Sequence, residues 1–429
     1  MNTKSLAHAR RLAATFAFLA AGVAHAQSFE NAAGLKASDL VPPALLKGPN
    51  HRVDDAVTFE GGFPLYTIRS DNGTWQARGR EMLEIRVSEL PAFAQANRVS
   101  KTDEFGKAAA QALAAPVKAV GQLVENPVET VGNVFSGFGL MASRIGEVTG
   151  STLGNVGDTV SGDTGAQKPI LKQTALSKGV TGPRAFDSDP FGYNAKRREW
   201  ANQLKVDPYT NNAALAAKLD DLASASFAGS FPVDVTLGVV AAPLKYAVEF
   251  NETAQIEAYQ YPPVDIEMRN TERLKKMGIT DLPVRTLFRN AYFTPTLQTA
   301  LVLALESLGN AGGRVEVVRF AARAASDIEA RYVVNSVALL ARHDRTVAPI
   351  VGVQGAGNVL AGRTADRKLI VVVPMDYIPW AKPVEDFARR ADLQGAERWV
   401  LVSGRVTPLA KQEIAKLGWR VSDNLTNIR

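Results

Sequence analysis

The chain has 429 residues, 46% of them hydrophobic and 21% charged, a balance that suits packed cores rather than a disordered tail. About 400 residues exceed what one core organises, so two or three units are expected. No cysteine is present, which excludes disulfides, cysteine-ligated metals and attachment of lipid through a thioether.

The chain opens with Lys4, Arg10 and Arg11, continues with an apolar run from Leu12 to Val23 and closes on Ala24-His25-Ala26. Basic start, short apolar run and A-x-A site form the pattern of a cleaved secretory signal, and the run is too short to span a bilayer. Cleavage near Ala26 is therefore predicted, with a periplasmic or secreted mature chain. Its loss would remove three basic residues and no acidic one, lowering the formal charge from +6 to +3. The basic balance is thus partly an export feature and does not argue for nucleic acid.

Residues 57–80 read as β-structure: Phe63 to Arg69 alternates, Asp71-Asn72-Gly73 supplies a tight turn, and Thr74 to Arg78 returns. Glu81 to Leu90 fits either period, and its Met, Leu and Glu content favours helix. Residues 116–126 and 127–137 form an 11-residue repeat, close to three helical turns. Asn126 reads as an N-cap with Pro127 as first helical residue and Glu129 as capping-box partner. Val117, Val120, Val124, Val128, Val131, Phe135 and Phe138 fall on one stripe. Gly146, Gly150 and Gly154 follow at four-residue spacing, which lets two backbones approach closely.

Between Leu113 and Gly165 only Lys118 and Arg144 are basic, against Glu125, Glu129, Glu147, Asp158 and Asp163. Helices that lie on membranes carry cations to meet anionic lipid, so this stretch points to a protein partner or self-association ahead of membrane-surface contact. Residues 151–182 lose periodicity and read as a linker.

Residues 186–310 read as mainly helical, with Leu215, Leu219, Leu222 and Phe227 inward on one helix and a Thr294-Pro295 start on another. Lys196-Arg197-Arg198 and Lys275-Lys276 are short basic runs, expected on solvated faces. Asp187, Asp189, Asp220 and Asp221 lack calcium-loop spacing and read as surface or caps. From Ser326 a capping box with Glu329 opens a helix through about Arg342. Three β-rich runs follow (347–353, 358–363, 368–374), then a helix at 383–391, a strand at 398–403, a helix from Thr407-Pro408 to Gly418, and a last strand at Trp419. The expected fold class is α+β multidomain: 1–26 signal, 27–105 an N-terminal β-hairpin region, 106–185 glycine-rich amphipathic helices and linker, 186–310 a helical middle, and 311–429 a small α/β domain.

Few catalytic motifs are present. GxxxxGK[ST], GxSxG and HExxH are missing from the sequence. Gly352-Val353-Gln354-Gly355-Ala356-Gly357 has the wrong order for a dinucleotide loop and reads as a hairpin turn. Only His51 and His343 lie outside the signal, too few for a histidine-based zinc site, and His343 is expected at a helix end as a dipole partner. No cofactor or metal is called. Ligands of open α/β sheets sit at the carboxyl ends of parallel strands, where Asp376, Ser403 and Arg405 stand. The leading expectation is an exported envelope protein that binds or scaffolds; the alternative is a hydrolase or small-ligand-binding enzyme using those three residues. Their convergence in one concave pocket would favour the alternative.

Overall fold

The computed structural model describes residues 29–30, 34–60, 62–114, 192–228, 231–233, 249–280 and 282–425. The expected signal and the whole interaction segment from Val117 to Gly154 lie outside these residues. The fold is mixed α+β.

The N-terminal part begins with short helices α1 (Ala37–Leu40) and α2 (Pro43–Leu46) and five strands: β1 (Lys47–Gly48), β2 (His51–Val53), β3 (Thr58–Glu60), β4 (Phe63–Ser70) and β5 (Gly73–Arg78). β4 is the hub, pairing antiparallel with β2, β3 and β5. Its alternation puts Tyr66 and Ile68 fully inside. The turn between β4 and β5 is set by the Ser70–Gly73 pair, as the Asp71-Asn72-Gly73 signal implies.

Helix α3 (Arg80–Val99) settles the ambiguous stretch as helix and runs on past Pro91. Proline lacks the N–H that would bond back one turn, so it weakens the ladder there. At that point α3 passes from one core to another. Met82, Leu83, Val87 and Leu90 pack on the β-sheet, whereas Ala92, Phe93, Ala96 and Val99 pack against helices α4 (Asp103–Ala114), α5 (Tyr193–Leu204) and α6 (Ala213–Ala228).

This second core closes around Trp200, whose indole N–H reaches Ser226 Oγ at 2.9 Å. The basic run at 196–198 is not a solvated face. Three consecutive helical residues spread over most of a turn, so one must point inward. Arg197 does, only 4% exposed, bonded to the Pro208 carbonyl and paired with Asp220 at 2.8 Å. Asp220 keeps a partly exposed side chain, as a surface acid would, and is also the ion-pair partner of Arg197. Asp187 and Asp189 lie outside the described residues.

Helices α7 (Glu249–Gln260), α8 (Pro263–Lys276), α9 (Leu282–Phe288), α10 (Pro295–Ser307), α11 (Arg314–Ala321) and α12 (Asp327–Thr346) share a third core with one face of the C-terminal sheet. The helices between 193 and 307 are therefore divided between two cores. α10 starts on Thr294, whose hydroxyl accepts from Leu297 N at 3.3 Å. α12 starts on Ser326, which accepts from Glu329 N at 3.3 Å, while the Glu329 carboxylate takes Ala325 N instead of closing the box.

The sheet runs β12-β10-β8-β7-β6, from β6 (Ile350–Ala356), β7 (Val359–Thr364), β8 (Leu369–Val373), β10 (Arg398–Val402) and β12 (Trp419–Ser422). β8, β10 and β12 are parallel, and β6 and β7 form an antiparallel hairpin beside them. The hairpin expected at Gly352 to Gly357 is present, but residues 352–356 belong to strand β6 and Gly357 and Asn358 make the turn. All five residues of β8 are buried. Ile370 and Val372 face α12; Leu369, Val371 and Val373 face α13 (Lys382–Ala388) and α14 (Pro408–Lys416). Complete burial of such side chains contributes about 1.5–3 kcal/mol each, which explains the uninterrupted Val/Ile composition. β9 (Tyr377–Ile378) and β11 (Arg405–Val406) pair beside the strand ends. His343 stands in the last turn of α12, as expected, and burial pushes its pKa below the ordinary value. No helix among the described residues is long and apolar enough to cross a membrane.

Candidate functional site

A cavity of about 690 Å³ lies between the N-terminal half of α3, the β4–β5 hairpin, α12 and the carboxyl ends of β8 and β10. One wall draws on the first core through Met82, and the walls meet where Phe63 and Tyr332 pack in the cluster behind β8 and β10. On α12 its lining recurs every three or four residues: Asp327, Arg331, Asn335, Ala338, Arg342 and Arg345. That spacing draws one polar stripe along a helix whose opposite face, with Val333, Val337 and Leu340, is buried in the core.

The start of α3 explains how the walls meet. A helix leaves its first N–H groups without intrahelical partners, and Gly79, the residue before the helix, has no side chain to cap them. The cap comes from the loop after β8. Asp376 Oδ2 accepts from Arg80 N at 2.7 Å across 296 residues of sequence. Gly79 has φ 82°, and a Cβ there would lie 3.3 Å from Asp376 Oδ2 and 3.2 Å from the Phe63 ring. The Asp376 loop is held in turn by Arg405 N donating to Asp376 O at 2.9 Å, and by Gly404 N and Ser403 Oγ donating to Met375 O at 2.9 and 3.1 Å.

Across the cavity, Glu81 of α3 accepts from Arg331 Nη1 at 3.1 Å and from Asn335 Nδ2 at 2.6 Å. Arg331 Nε and Asn335 Oδ1 are buried without a hydrogen-bond partner. Burial opposes the charge of Arg331, but the carboxylates of Glu81, Asp327 and Asp207 outweigh it and raise its pKa. The cavity continues to Arg86, whose Nη2 reaches Asn211 Oδ1 at 2.6 Å, and to Asp327, which accepts from Asn211 Nδ2 at 2.7 Å.

Burial also dominates the acids. It raises the Asp376 carboxyl to about 6, opposed by the Arg80 N–H and the Arg80 charge and reinforced by Glu81 and Glu84. It raises Glu84 as well, despite Arg80 at 2.9 Å. Because Asp376 binds its proton more tightly folded than unfolded, its contribution is most favourable below the ordinary carboxylate range and is lost as pH rises through about 6. A shift of that size corresponds to on the order of 2–3 kcal/mol. Asp376→Asn keeps an oxygen for Arg80 N and removes the titration. Denaturant melts at pH 4.5 and 8 should show the variant gaining relative to wild type at the higher pH; parallel pH profiles would refute the assignment.

The structure thus brings together two of the three residues singled out at the strand ends. Asp376 and Ser403 both line the cavity. Arg405 is exposed, does not line it, and contributes through backbone pairing of β11 with β9. Glu81, Arg331 and Asn335 were missed. The stripe Asp327, Arg331, Asn335 at four-residue spacing was the available signal. Among the described residues no histidine lines the cavity, and the Ser403 hydroxyl donates to a backbone carbonyl. Among the described residues no three His, Asp or Glu side chains converge as metal ligands.

No family profile, no curated protein and no solved structure matches the chain.

Proposed function

We propose that this is an exported binding protein of the cell envelope, with a small organic molecule as ligand in the cavity between α3 and α12. One observation carries the ligand site. A cavity of about 690 Å³, within the usual range for small-molecule sites, has in its walls a half-buried guanidinium and a half-buried amide that each hold one sealed polar atom without a partner. An unsatisfied buried donor or acceptor costs about 1–3 kcal/mol, a cost that a ligand could relieve. Export rests on the basic, apolar and Ala-His-Ala succession of residues 1–26. A protein partner or self-association through Val117 to Gly154 rests on that segment's sequence alone.

Ala338 faces the cavity from the middle of α12, and Ala338→Trp would fill much of it. N-phenyl-1-naphthylamine, a neutral apolar probe, should bind the wild-type chain at one site with a rise in fluorescence and bind the variant at least tenfold more weakly. Absence of binding to wild type, or equal binding to both, would contradict the proposal.

A further inference from the structure

We infer that the ligand of this cavity is an organic anion: an apolar body carrying a carboxylate, sulfonate or similar group that lies against the guanidinium of Arg331. The inference rests on the cavity being a ligand site and specifies its chemistry.

Charge is the first support. Six guanidinium groups line the cavity, from Arg78, Arg80, Arg86, Arg331, Arg342 and Arg345. Four carboxylates oppose them, from Glu81, Glu84, Asp327 and Asp376. Guanidinium does not lose its proton in proteins, so the positive set is permanent. The negative set is not, since burial already favours the neutral form of Asp376 and Glu84. The charge of Arg86 is already met by Glu89 behind the wall, so five arginines face four carboxylates, and the positive excess grows as pH falls. A cationic ligand would meet that field unfavourably, while an anion would be drawn in.

Geometry is the second. Arg331 spends Nη1 on Glu81, which fixes the plane of the guanidinium, and its Nε–H has no acceptor. A guanidinium edge matches the two oxygens of a carboxylate or sulfonate, and bonds between charged partners are about twice as strong as neutral ones. One turn farther along α12, the unpartnered Asn335 Oδ1 can take a hydroxyl or amide proton of the same ligand. Both atoms are sealed from solvent, so contact with the ligand requires the Arg331 and Asn335 side chains to change rotamer. The apolar walls are the third support. Phe63, Leu65, Met82, Ile328 and Leu339 also line the cavity, so a bare inorganic anion would leave most of it uncovered. Apolar walls also lower the local dielectric and strengthen the pull of the guanidinium groups.

The test uses the full chain and two probes with the same aromatic body. 8-Anilinonaphthalene-1-sulfonate carries a sulfonate, and N-phenyl-1-naphthylamine carries none. The sulfonate should bind about tenfold more tightly, the change expected of one charge-assisted contact in a partly desolvated site. Arg331→Met should remove that advantage and leave the neutral probe unaffected. Because Arg331→Met also strands Glu81, Arg345→Met, at an exposed position, serves as a second variant and should weaken the sulfonate severalfold. If both probes bind in an Ala338→Trp-sensitive manner with equal affinity, or if neither arginine variant affects the sulfonate, the anion inference fails and the cavity site stands. If neither probe senses Ala338→Trp, both fail.

Discussion

Glu89→Leu should lower stability by about 3–5 kcal/mol, the cost of leaving a buried charge without its partner. Glu89 is 4% exposed on α3 and serves three donors. Its Oε2 accepts from Arg86 Nη1 and Asn212 Nδ2, both at 2.7 Å, and its Oε1 from Thr210 Oγ1 at 2.5 Å. Through Arg86 and Asn211 the network continues to Asp327 at the start of α12. Close by, Asp207 accepts from Thr296 Oγ1 of α10 at 2.8 Å. The loop 207–212 therefore ties all three of α3, α10 and α12 together. Leucine fills the volume but strands a guanidinium and two neutral donors in a dry site. The paired replacement Arg86→Met with Glu89→Met removes both charges and should recover most of the loss. Urea unfolding followed by tryptophan fluorescence and by circular dichroism checks this. In Glu89→Leu the two signals should also separate, because the cores are then less tightly coupled. A loss under about 1 kcal/mol would show that the network does not hold the cores together.

Gly404→Ala should cost about 3 kcal/mol or more and abolish probe binding in the cavity. A Cβ at Gly404 would lie 2.0 Å from Asp376 O, 2.3 Å from its carbonyl carbon and 2.4 Å from its Cα. These are backbone atoms and cannot rotate aside, so the loop must move, with overpacking costs at the high end of the usual range. The movement would break the Arg405 N to Asp376 O bond and the β9–β11 pairing, and would carry Asp376 away from the first N–H of α3. Gly355→Ala is the control. It lies exposed in β6 with nothing within 4 Å of an added Cβ, and should be neutral or slightly stabilising. Equal thermal midpoints for Gly404→Ala and wild type would refute the steric reading.

Elements with a strong local period were legible from residue type alone. The β4–β5 hairpin announced itself by alternation and its turn, β8 by five apolar residues in succession, and α14 by Thr407 as cap, Pro408 as first residue and Gly418 after it. Arg197 was not legible. Adjacent arginines look alike in sequence, and only the position of the Pro208 carbonyl and Asp220 decides which one turns inward. The place of His343 at the helix end was legible because it is local information, whereas its burial, which is tertiary, was not. The cavity was least legible of all. Its defining contacts join Glu81 to Arg331 across 250 residues and Arg80 to Asp376 across 296, and no periodicity encodes a meeting at that distance. Asp376 and Ser403 were singled out because strand ends are where α/β sheets leave room for ligands, and both line the cavity. Their partners on α3 were not singled out, because the opposing wall draws on a different core.

The ligand site is tested most directly by a crystal structure of the full chain with bound 8-anilinonaphthalene-1-sulfonate. The expected result is the naphthalene ring between α3 and α12, with its sulfonate beside the guanidinium of Arg331. Probe bound elsewhere, or the space between those helices taken up by another segment of the chain, would contradict it.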